Sequence, residues 1–241
     1  MKTIAFIPAR YAATRFPAKL MQPLGDKTII RHTYENTLST LLFDEVIVVT
    51  DSDIIFNEIV QNGGYAMMSK KTHECGSDRI AEAVSDIDVD VIVNVQGDEP
   101  FVKKELLENL LNAFKDKQGE KTEVASLMFP TADEQIIHNP NHVKVVVDKN
   151  SNALFFSRSV IPFQREKNTQ PVYYKHIGIY AYRKKALMAF TQWEITPLEA
   201  AEKLEQLRYL ENGINIKMVQ TDGSPLSIDT PEDYERAKNL I

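Results

Sequence analysis

Three basic side chains lie in the segment over residues 8–19, directly after the first apolar run of the chain. Arg10, Arg15 and Lys19 are spaced five and four residues apart, and Thr14 adds a hydroxyl. Converging cations of this kind neutralise a triphosphate and stabilise a departing pyrophosphate. The segment lacks both the Walker A pattern and the glycine fingerprint of a dinucleotide site. A phosphate-binding loop and an ordinary solvated loop both fit this spacing.

Two acidic residues occupy positions at which a divalent cation could be held. Asp98 follows an unbroken apolar run, and the preceding Gly97 permits close backbone approach. Asp229 stands just outside the capping box that begins at Thr230. Carboxylates beside a nucleotide are typical Mg²⁺ ligands. Helix capping is the alternative around Asp98, because Pro100 suits the first turn of the helix expected after it.

The strand predicted over residues 175–182 carries polar side chains on one face. Period-two alternation places His176, Gly178 and Tyr180 together. Such a face suits a polyhydroxylated ligand. A packed, hydrogen-bonded pair of aromatic residues is the alternative, and it is the more common outcome for a strand histidine and tyrosine.

A helix is predicted over residues 196–211. Thr196 and Glu199 have the spacing of a capping box, so we expect a structural role for Glu199. Glu205 and Gln206 flank the leucine stripe of this helix and could reach a neighbouring site. Spacing alone leaves their role open.

The order of elements predicts the fold class. Continuous apolar runs alternate with helical patterns in the first half, which is typical of parallel strands buried on both faces. We therefore expect an α/β fold with a doubly wound, mostly parallel sheet and a smaller β-containing excursion. The strands expected are 3–7, 45–50, 89–95, 143–147, 154–156, 175–182 and 214–219. The helices expected are 28–40, 54–61, 196–211 and 231–240. Nothing marks a linker, so residues 1–241 are expected to form one domain with a sub-structure at about 130–190.

Composition excludes several classes of protein. The 241 residues are 43% hydrophobic and 26% charged, and the net charge of −6 argues against non-specific nucleic-acid binding. Cys75 is the single cysteine, which rules out an intrachain disulfide, and we expect a buried or half-buried thiol rather than a metal ligand. The apolar run near the N-terminus is too short for a signal peptide, and no stretch reaches membrane-span length. A cytoplasmic protein without membrane insertion is expected.

The motifs together resemble those of one family, the 3-deoxy-manno-octulosonate cytidylyltransferases, or CMP-Kdo synthetases. The matching segments run in family order: IPARYAATRFPAK, VTDS, GSDRI, NVQGDEP, HNPNHVKVV, FFSRSVIP, HIGIYAYR, TPLEAAEKLEQLR and IDTPEDYERA. The resemblance implies a GT-A-like nucleotidyltransferase fold and a homodimer. It also implies transfer of CMP from CTP to Kdo with Mg²⁺, giving CMP-Kdo and pyrophosphate for lipopolysaccharide biosynthesis. The excursion at about 130–190 would contribute to the sugar pocket and to the dimer contact.

The resemblance also assigns roles to residues. Arg10, Arg15 and Lys19 would bind the CTP phosphates, and Asp98 and Asp229 would hold Mg²⁺. A further set of residues would surround the acid sugar: Arg79, Gln96, Arg158, His176, Tyr180, Glu205 and Gln206. Of these, Arg79 would suit the carboxylate of the sugar.

The opening loop departs from the family pattern at three positions. Ala13, Ala18 and Leu20 stand where the family usually has serine, glycine and proline. Loss of the serine hydroxyl removes one phosphate hydrogen bond, which Thr14 or backbone amides could replace. All three cations remain, so the expected activity is unchanged.

Three other functions fit parts of the sequence. A cytidylyltransferase for sialic acid or 8-amino-Kdo would use the same phosphate chemistry. A nucleotide-sugar-dependent glycosyltransferase would use an Asp-x-Asp metal motif, and Asp51-Ser52-Asp53 matches that string. A non-catalytic binding protein would not need two separated carboxylates together with a cationic loop.

Overall fold

The computed structural model describes residues 1–12, 16–73, 75–115, 119–223 and 225–241. The chain forms two compact units, the first made of residues 1–108 and 225–241 and the second of residues 109–224. The predicted excursion at about 130–190 lies within the second unit. The expectation of a single domain stays a prediction. None of the helices in these described ranges has the length and apolar character needed to cross a membrane.

The first unit is built around parallel strands. Its strands are β1 (Thr3–Ala9), β2 (Pro23–Leu24), β3 (Lys27–Thr28), β4 (Glu45–Thr50), β5 (Ala66–Met68) and β6 (Val91–Asn94). Its helices are α1 (Ile29–Ser39), α2 (Asp53–Gln61), α3 (Gly76–Val84) and the closing α9 (Pro231–Lys238), while α4 (Lys104–Asn112) runs from the end of this unit into the second. The strands lie in the order β6–β1–β4–β5, all parallel, and β2 and β3 form a separate small hairpin.

Sequence features explain why these elements form. All seven residues of β1 are buried, as the unbroken apolar run predicted. The Thr28 hydroxyl accepts a hydrogen bond from the Arg31 N–H at the start of α1. Just beyond the end of α2, Gly63 adopts a φ of 79°, which a glycine accommodates without strain.

The second unit mixes parallel and antiparallel pairs. Its strands are β7 (Val124–Thr131), β8 (Lys144–Val147), β9 (Ala153–Ser157), β10 (Tyr173–Arg183) and β11 (Ile216–Gln220). Its helices are α5 (Glu134–His138), α6 (Lys184–Phe190), α7 (Pro197–Glu202) and α8 (Gln206–Glu211). β7 is parallel to β11 and antiparallel to β10, and β8 pairs antiparallel with both β10 and β9. The predicted α/β class with a mostly parallel sheet and a β-containing excursion is confirmed.

Three local predictions were wrong. The helix expected over residues 196–211 is two helices, because Lys203 adopts a left-handed φ of 54° between them. The predicted capping box at its start is absent, since the Thr196 side chain makes no capping bond and Glu199 instead binds Arg208. α4 begins at Lys104, so Pro100 lies outside its first turn. β7 was not predicted.

Candidate active site

Three charged side chains of the first unit converge at one point. Lys19 Nζ lies 2.5 Å from Asp98 Oδ2 and 3.4 Å from Asp229 Oδ1. Lys19 and Asp98 are mostly enclosed, with 13% and 22% of their side chains exposed, whereas Asp229 is 59% exposed. The structure therefore brings together the predicted lysine and both predicted metal-binding acids, which are far apart in the sequence.

Gly97 sets the position of Asp98. A Cβ at residue 97 would lie 3.1 Å from Leu20 Cδ1 and 3.2 Å from the Pro8 carbonyl oxygen, so a side chain would push these segments apart. The Ile228 N–H donates to the Asp98 carbonyl at 3.0 Å. The close backbone approach predicted for this glycine is confirmed, and it ties Asp98 to the segment that carries the second acid.

The start of α9 sets the position of Asp229. Thr230 and Asp233 form the predicted capping box, and the Asp229 N–H also donates to Asp233 Oδ2 at 3.1 Å. These bonds fix the backbone of Asp229 and leave its carboxylate outside the helix, facing the ammonium group. Tyr234 anchors the same helix by packing against Phe16, with ring centroids 5.6 Å apart.

The pKa values of Lys19 and Asp98 are both shifted in this cluster. Burial lowers the pKa of Lys19, but Asp98 and Asp229 outweigh it, so the net shift is upward. Burial raises the pKa of Asp98; Lys19 opposes this shift and the negative charge of Asp229 adds to it. Two carboxylates that compete for one ammonium group form a site that favours additional positive charge.

The donor set fits a magnesium ion. Among the described residues no cluster of three or more His, Cys, Asp or Glu side chains is arranged to hold a metal. Mg²⁺ needs no such cluster, because it is usually held by one or two carboxylates together with substrate phosphates and water. Asp98 and Asp229 provide the two carboxylates, and their convergence on a single cation shows that both can face one positive charge.

Three further residues of this unit were predicted for the phosphate and sugar sites, and the structure describes two of them. Arg10 is exposed just after β1, and Arg15 lies outside the described residues. Gln96 is half-buried, and its Nε2 donates to Asn94 Oδ1 at 3.1 Å. The predicted roles of these residues stay predictions.

Arg79 is buried in an ion pair. Only 3% of it is exposed, and its guanidinium donates to Asp51 Oδ2 at 2.8 Å and to Ser69 Oγ at 3.0 Å. Asp53, the other acid of the Asp-x-Asp string, is exposed in the first turn of α2. Asp51 thus belongs to an ion pair, whereas Asp53 belongs to the start of a helix. The contact of Arg79 with a sugar carboxylate stays a prediction.

The second unit holds a buried aromatic cluster on β10. The register of β10 against β7 shifts between Ile177 and Tyr180, where two extra residues bulge out. Because the insertion is two residues long, His176 and Tyr180 remain on one face, with ring centroids 5.4 Å apart. Their shared face, predicted from alternation, is confirmed. Gly178 lies within the bulge, and the space into which its side chain would extend is open.

Ser126 of β7 fixes the histidine of this cluster. Its hydroxyl lies 3.1 Å from the Ile177 carbonyl oxygen, 3.0 Å from that of Ile179 and 3.0 Å from His176 Nε2. A hydroxyl that donates to a carbonyl can accept from a ring N–H, so we assign the His176 proton to Nε2. Burial, with a smaller contribution from Lys175, lowers the pKa of His176 to about 3. The ring is therefore neutral, and Nδ1 is left as an acceptor.

Three tyrosines stack in the same cluster. The ring centroid of Tyr182 lies 5.7 Å from that of Tyr180 and 6.0 Å from that of Tyr209. The hydroxyls of Tyr180 and Tyr209 are buried, and neither has a partner at hydrogen-bond geometry among the described residues, although the Ser126 hydroxyl lies close enough to Tyr180 to oppose the upward shift of its pKa. Burial raises both pKa values well above the usual range, and Tyr182 and Glu205 add to the shift. Two neutral hydroxyls are thus held where a polar ligand or water would satisfy them.

The remaining predicted residues of this unit surround the corner between α7 and α8. Glu205 immediately precedes α8, and Gln206, its first residue, is 7% exposed. Arg158 directs its guanidinium to backbone carbonyls, including that of Glu202 at 2.8 Å. Contact of any of these three predicted residues with a sugar stays a prediction.

Comparison with known proteins identifies the family. A family model described as cytidylyltransferase matches residues 4–216. The 3-deoxy-manno-octulosonate cytidylyltransferase of Flavobacterium johnsoniae is 61% identical over 241 residues, which cover 100% of this chain and 99% of that protein. This chain belongs to the 3-deoxy-manno-octulosonate cytidylyltransferase family.

Other members of the 3-deoxy-manno-octulosonate cytidylyltransferase family agree. The protein of that name from Christiangramia forsetii is 55% identical, with 100% of this chain and 97% of that protein covered. A solved CMP:2-keto-3-deoxy-manno-octonic acid synthetase complexed with CTP matches with a TM-score of 0.94 and 36% identity, covering 100% of this chain and 98% of that one. A 4-diphosphocytidyl-2C-methyl-D-erythritol synthase from Anaerococcus prevotii, at 18% identity and a TM-score of 0.63, shares the fold alone.

Sequence reasoning missed residues that shape the site of this 3-deoxy-manno-octulosonate cytidylyltransferase family member. Ser126 lies in the unpredicted β7, where a single polar residue within an apolar run was the available signal. Tyr209 was passed over because it stands among the leucines of the predicted helix. Lys144 is fully buried, and a lysine inside the apolar run of β8 was the signal there.

Proposed function

We propose that this chain transfers CMP from CTP to the acid sugar Kdo and releases pyrophosphate. The observation that carries the proposal is the convergence of Lys19, Asp98 and Asp229 in a chain that is 61% identical to a curated 3-deoxy-manno-octulosonate cytidylyltransferase. The structural match to a synthetase complexed with CTP supports CTP as the nucleotide.

The charged cluster suits the phosphate half of this reaction. The anomeric hydroxyl of Kdo attacks the α-phosphorus, the bond to the β-phosphate oxygen breaks, and the hydroxyl proton is lost. Lys19 would stabilise negative charge on the α-phosphate and the leaving pyrophosphate, together with Arg10 and Arg15. Asp98 and Asp229 would hold Mg²⁺, which when bound offsets phosphate charge and lowers the pKa of the attacking hydroxyl.

The aromatic cluster suits the sugar half. His176 is held neutral, and the buried hydroxyls of Tyr180 and Tyr209 lack well-formed bonds to described residues. A polyhydroxylated ligand can satisfy such groups in pairs as donor and acceptor. Glu205 and Gln206 would add an acceptor and an amide from the start of α8. This arrangement supports a sugar rather than a second nucleotide as the other substrate.

The alternatives receive less support. A nucleotide-sugar-dependent glycosyltransferase would need the Asp-x-Asp string at its metal, yet Asp51 is paired with Arg79 and Asp53 is exposed in α2. No particular contact favours sialic acid or 8-amino-Kdo over Kdo. The proposal also includes a cytoplasmic location and a homodimer, which cell fractionation and light scattering would test.

A pyrophosphate-release assay tests the proposal directly. The enzyme is supplied with Mg²⁺, CTP and, in separate reactions, Kdo, 8-amino-Kdo and sialic acid. We expect release with CTP and Kdo, and slow release when UTP, ATP or GTP replaces CTP. Equal rates with UTP would overturn the assignment of cytosine specificity. Release that requires sialic acid rather than Kdo would overturn the assignment of the sugar.

A further inference from the structure

The ammonium group of a buried lysine in the second unit is bound by backbone carbonyls. No part of Lys144 is exposed, and its ammonium group donates to three carbonyl oxygens. These belong to Asn139 at 3.1 Å, His142 at 2.6 Å and Arg158 at 2.7 Å. Three acceptors match the three donors of an ammonium group, which explains how its charge is tolerated inside the unit. The lysine therefore fixes the backbone at Arg158 without reaching solvent.

Arg158 in turn holds the end of α7. Its Nε donates to the Glu202 carbonyl at 2.8 Å, and its two terminal nitrogens donate to the carbonyls of Pro140 at 3.0 Å and Lys203 at 3.4 Å. In the reverse direction, the Glu202 carboxylate accepts from the Arg158 N–H at 3.0 Å and from the Ser157 hydroxyl at 2.6 Å. A basic side chain that binds the last carbonyls of a helix helps to end that helix. Here the final glutamate of α7 also binds the backbone N–H of the same arginine, so the two contacts together end α7 at Glu202.

The termination at Glu202 decides where the next residues point. Lys203 adopts a left-handed conformation, which is unfavourable for a non-glycine residue and therefore needs support from its surroundings. The residues on either side read as one continuous helix in the sequence. If Lys203 were helical, the chain after it would continue along the axis of α7. Glu205 and Gln206 would then face a different direction.

We propose that Lys144 and Arg158 are positioning residues for acid-sugar binding, acting by holding the left-handed turn at Lys203 and thereby the directions of Glu205 and Gln206. The inference rests on the proposed function and deepens it. It gives Arg158 an indirect role in place of the direct sugar contact that the family resemblance implies. It also gives a role to Lys144, which sequence reasoning did not select.

An ion pair between α7 and α8 also braces this corner. Arg208 of α8 binds Glu199 of α7 through two bonds of 2.5 and 2.6 Å, and both residues are buried. The side chains of that pair join the two helices, and the Lys203 N–H donates to the Glu199 carbonyl at 2.8 Å as the last bond of α7. The carbonyl of Lys203 is instead bound by Arg158.

The test uses Lys144→Met and Arg158→Met in the full-length enzyme. We expect both variants to raise the KM for Kdo roughly tenfold to a hundredfold, because small misplacements of binding groups have effects of this size. Affinity for CTP, measured by calorimetry, should change less than about twofold. Kdo affinity, measured by calorimetry without CTP, should fall in parallel with the KM effect. The double variant should be little worse than either single variant, since both act through one turn.

Arg183→Met is the matched control. Arg183 is in the same unit and likewise donates to backbone carbonyls, those of Phe114 and Gly119, both at 3.2 Å. It should lower the melting temperature without changing the KM for Kdo. If Lys144→Met and Arg158→Met behave like this control, the Glu199–Arg208 pair suffices and the proposal is wrong.

Two further outcomes are informative. If only Arg158→Met raises the KM, Arg158 contacts the sugar directly and the positioning role is refuted, because Lys144 cannot reach a ligand. Should either variant fail to fold, Glu202→Gln removes one carboxylate charge from the same clamp and is expected to raise the KM several-fold. If the unmodified enzyme does not use Kdo at all, the proposed function fails first, and that result is visible before any variant is made.

Discussion

The two units each hold a cluster of polar side chains, and the clusters differ in whether opposite charges lie beside the buried groups. In the first unit, Lys19 Nζ lies within 3.4 Å of a carboxylate oxygen of both Asp98 and Asp229, so opposite charges partly offset the effect of burial. In the second unit, burial lowers the pKa of His176 to about 3 and raises that of Tyr180 well above its usual range. No opposite charge compensates there, so both groups are neutral.

This difference matches two kinds of ligand. A partly exposed charged cluster can exchange its internal ion pairs for a metal ion and phosphates at modest cost, because the charges are already assembled. A neutral hydrogen-bonding cluster binds hydroxyl groups without the large cost of burying an unpaired charge. These are the two classes of ligand that the proposed function requires, a nucleoside triphosphate and a sugar, and each cluster can be tested by itself.

The largest expected effect is on the charged cluster. Asp98→Asn and Asp229→Asn should each lower turnover roughly a hundredfold to a thousandfold, because the amide preserves volume but removes the charge needed for the cation. Pyrophosphate release at saturating Mg²⁺ measures this, and circular dichroism should show an unchanged fold. Chelation of the metal should stop the unmodified enzyme, and added Mg²⁺ should restore it.

Asp53→Asn is the control for these two variants. Asp53 is an exposed carboxylate of the same unit in the first turn of α2, and it belongs to the Asp-x-Asp string. Its loss should leave turnover nearly unchanged. A variant of Asp98 or Asp229 with near-normal turnover would show that the residue is not a metal ligand, and a severe effect at Asp53 would favour the glycosyltransferase alternative.

The second prediction concerns Arg79, a buried cation that is paired rather than clustered. Arg79→Ala and Asp51→Asn should both lower the free energy of unfolding by roughly 2 kcal/mol, the partial exposure of Asp51 keeping the effect below that of a fully buried pair. Urea denaturation of both single variants and the double variant measures the coupling. If Arg79→Ala leaves stability unchanged and raises only the KM for Kdo, Arg79 is a sugar ligand.

The third prediction uses pH to probe the neutral cluster. The unfolded chain has a histidine pKa near 6.5, while that of folded His176 is about 3. Below pH 6.5 the unfolded state therefore binds a proton that the folded state does not, and stability falls by ~1.4 kcal/mol per pH unit until about pH 3. His176 should thus account for a loss of about 2 kcal/mol between pH 7.5 and pH 5.

Comparison with His176→Gln isolates this contribution, because glutamine keeps a donor for Ser126 but does not titrate. Urea midpoints of both proteins at the two pH values give the difference. An equal loss in the variant would mean that other groups cause the acid sensitivity, and that His176 is not buried in neutral form.

The same comparison shows which parts of the site the sequence could predict. Asp98 and Asp229 were accessible because strand ends and helix caps are local patterns, and the capping box accounted for Thr230 while leaving Asp229 unexplained. The shared face of His176 and Tyr180 followed from alternation, although only the two-residue length of the bulge preserved it. The turn at Lys203 could not be predicted, since it depends on Arg158, a residue distant in the sequence.

The smallest expected effect lies in the backbone beneath the charged cluster. Ala18 has a φ of 50° directly before the short 3₁₀ turn that carries Lys19, at a position where the family usually has glycine. An alanine in this conformation destabilises the folded state by roughly 1–2 kcal/mol. Glycine adopts the conformation freely, but its greater freedom in the unfolded chain lowers the free energy of unfolding by about 0.4–1 kcal/mol. Ala18→Gly should therefore raise the free energy of unfolding by about 0.5–1 kcal/mol. Ala83→Gly, in the last turn of α3, should lower it by up to about 1 kcal/mol. Urea denaturation at 25 °C compares the two, and equal destabilisation would show that Ala18 is not strained. Turnover of Ala18→Gly should be unchanged, because the contact of Lys19 with Asp98 depends on the turn and not on the Ala18 methyl group.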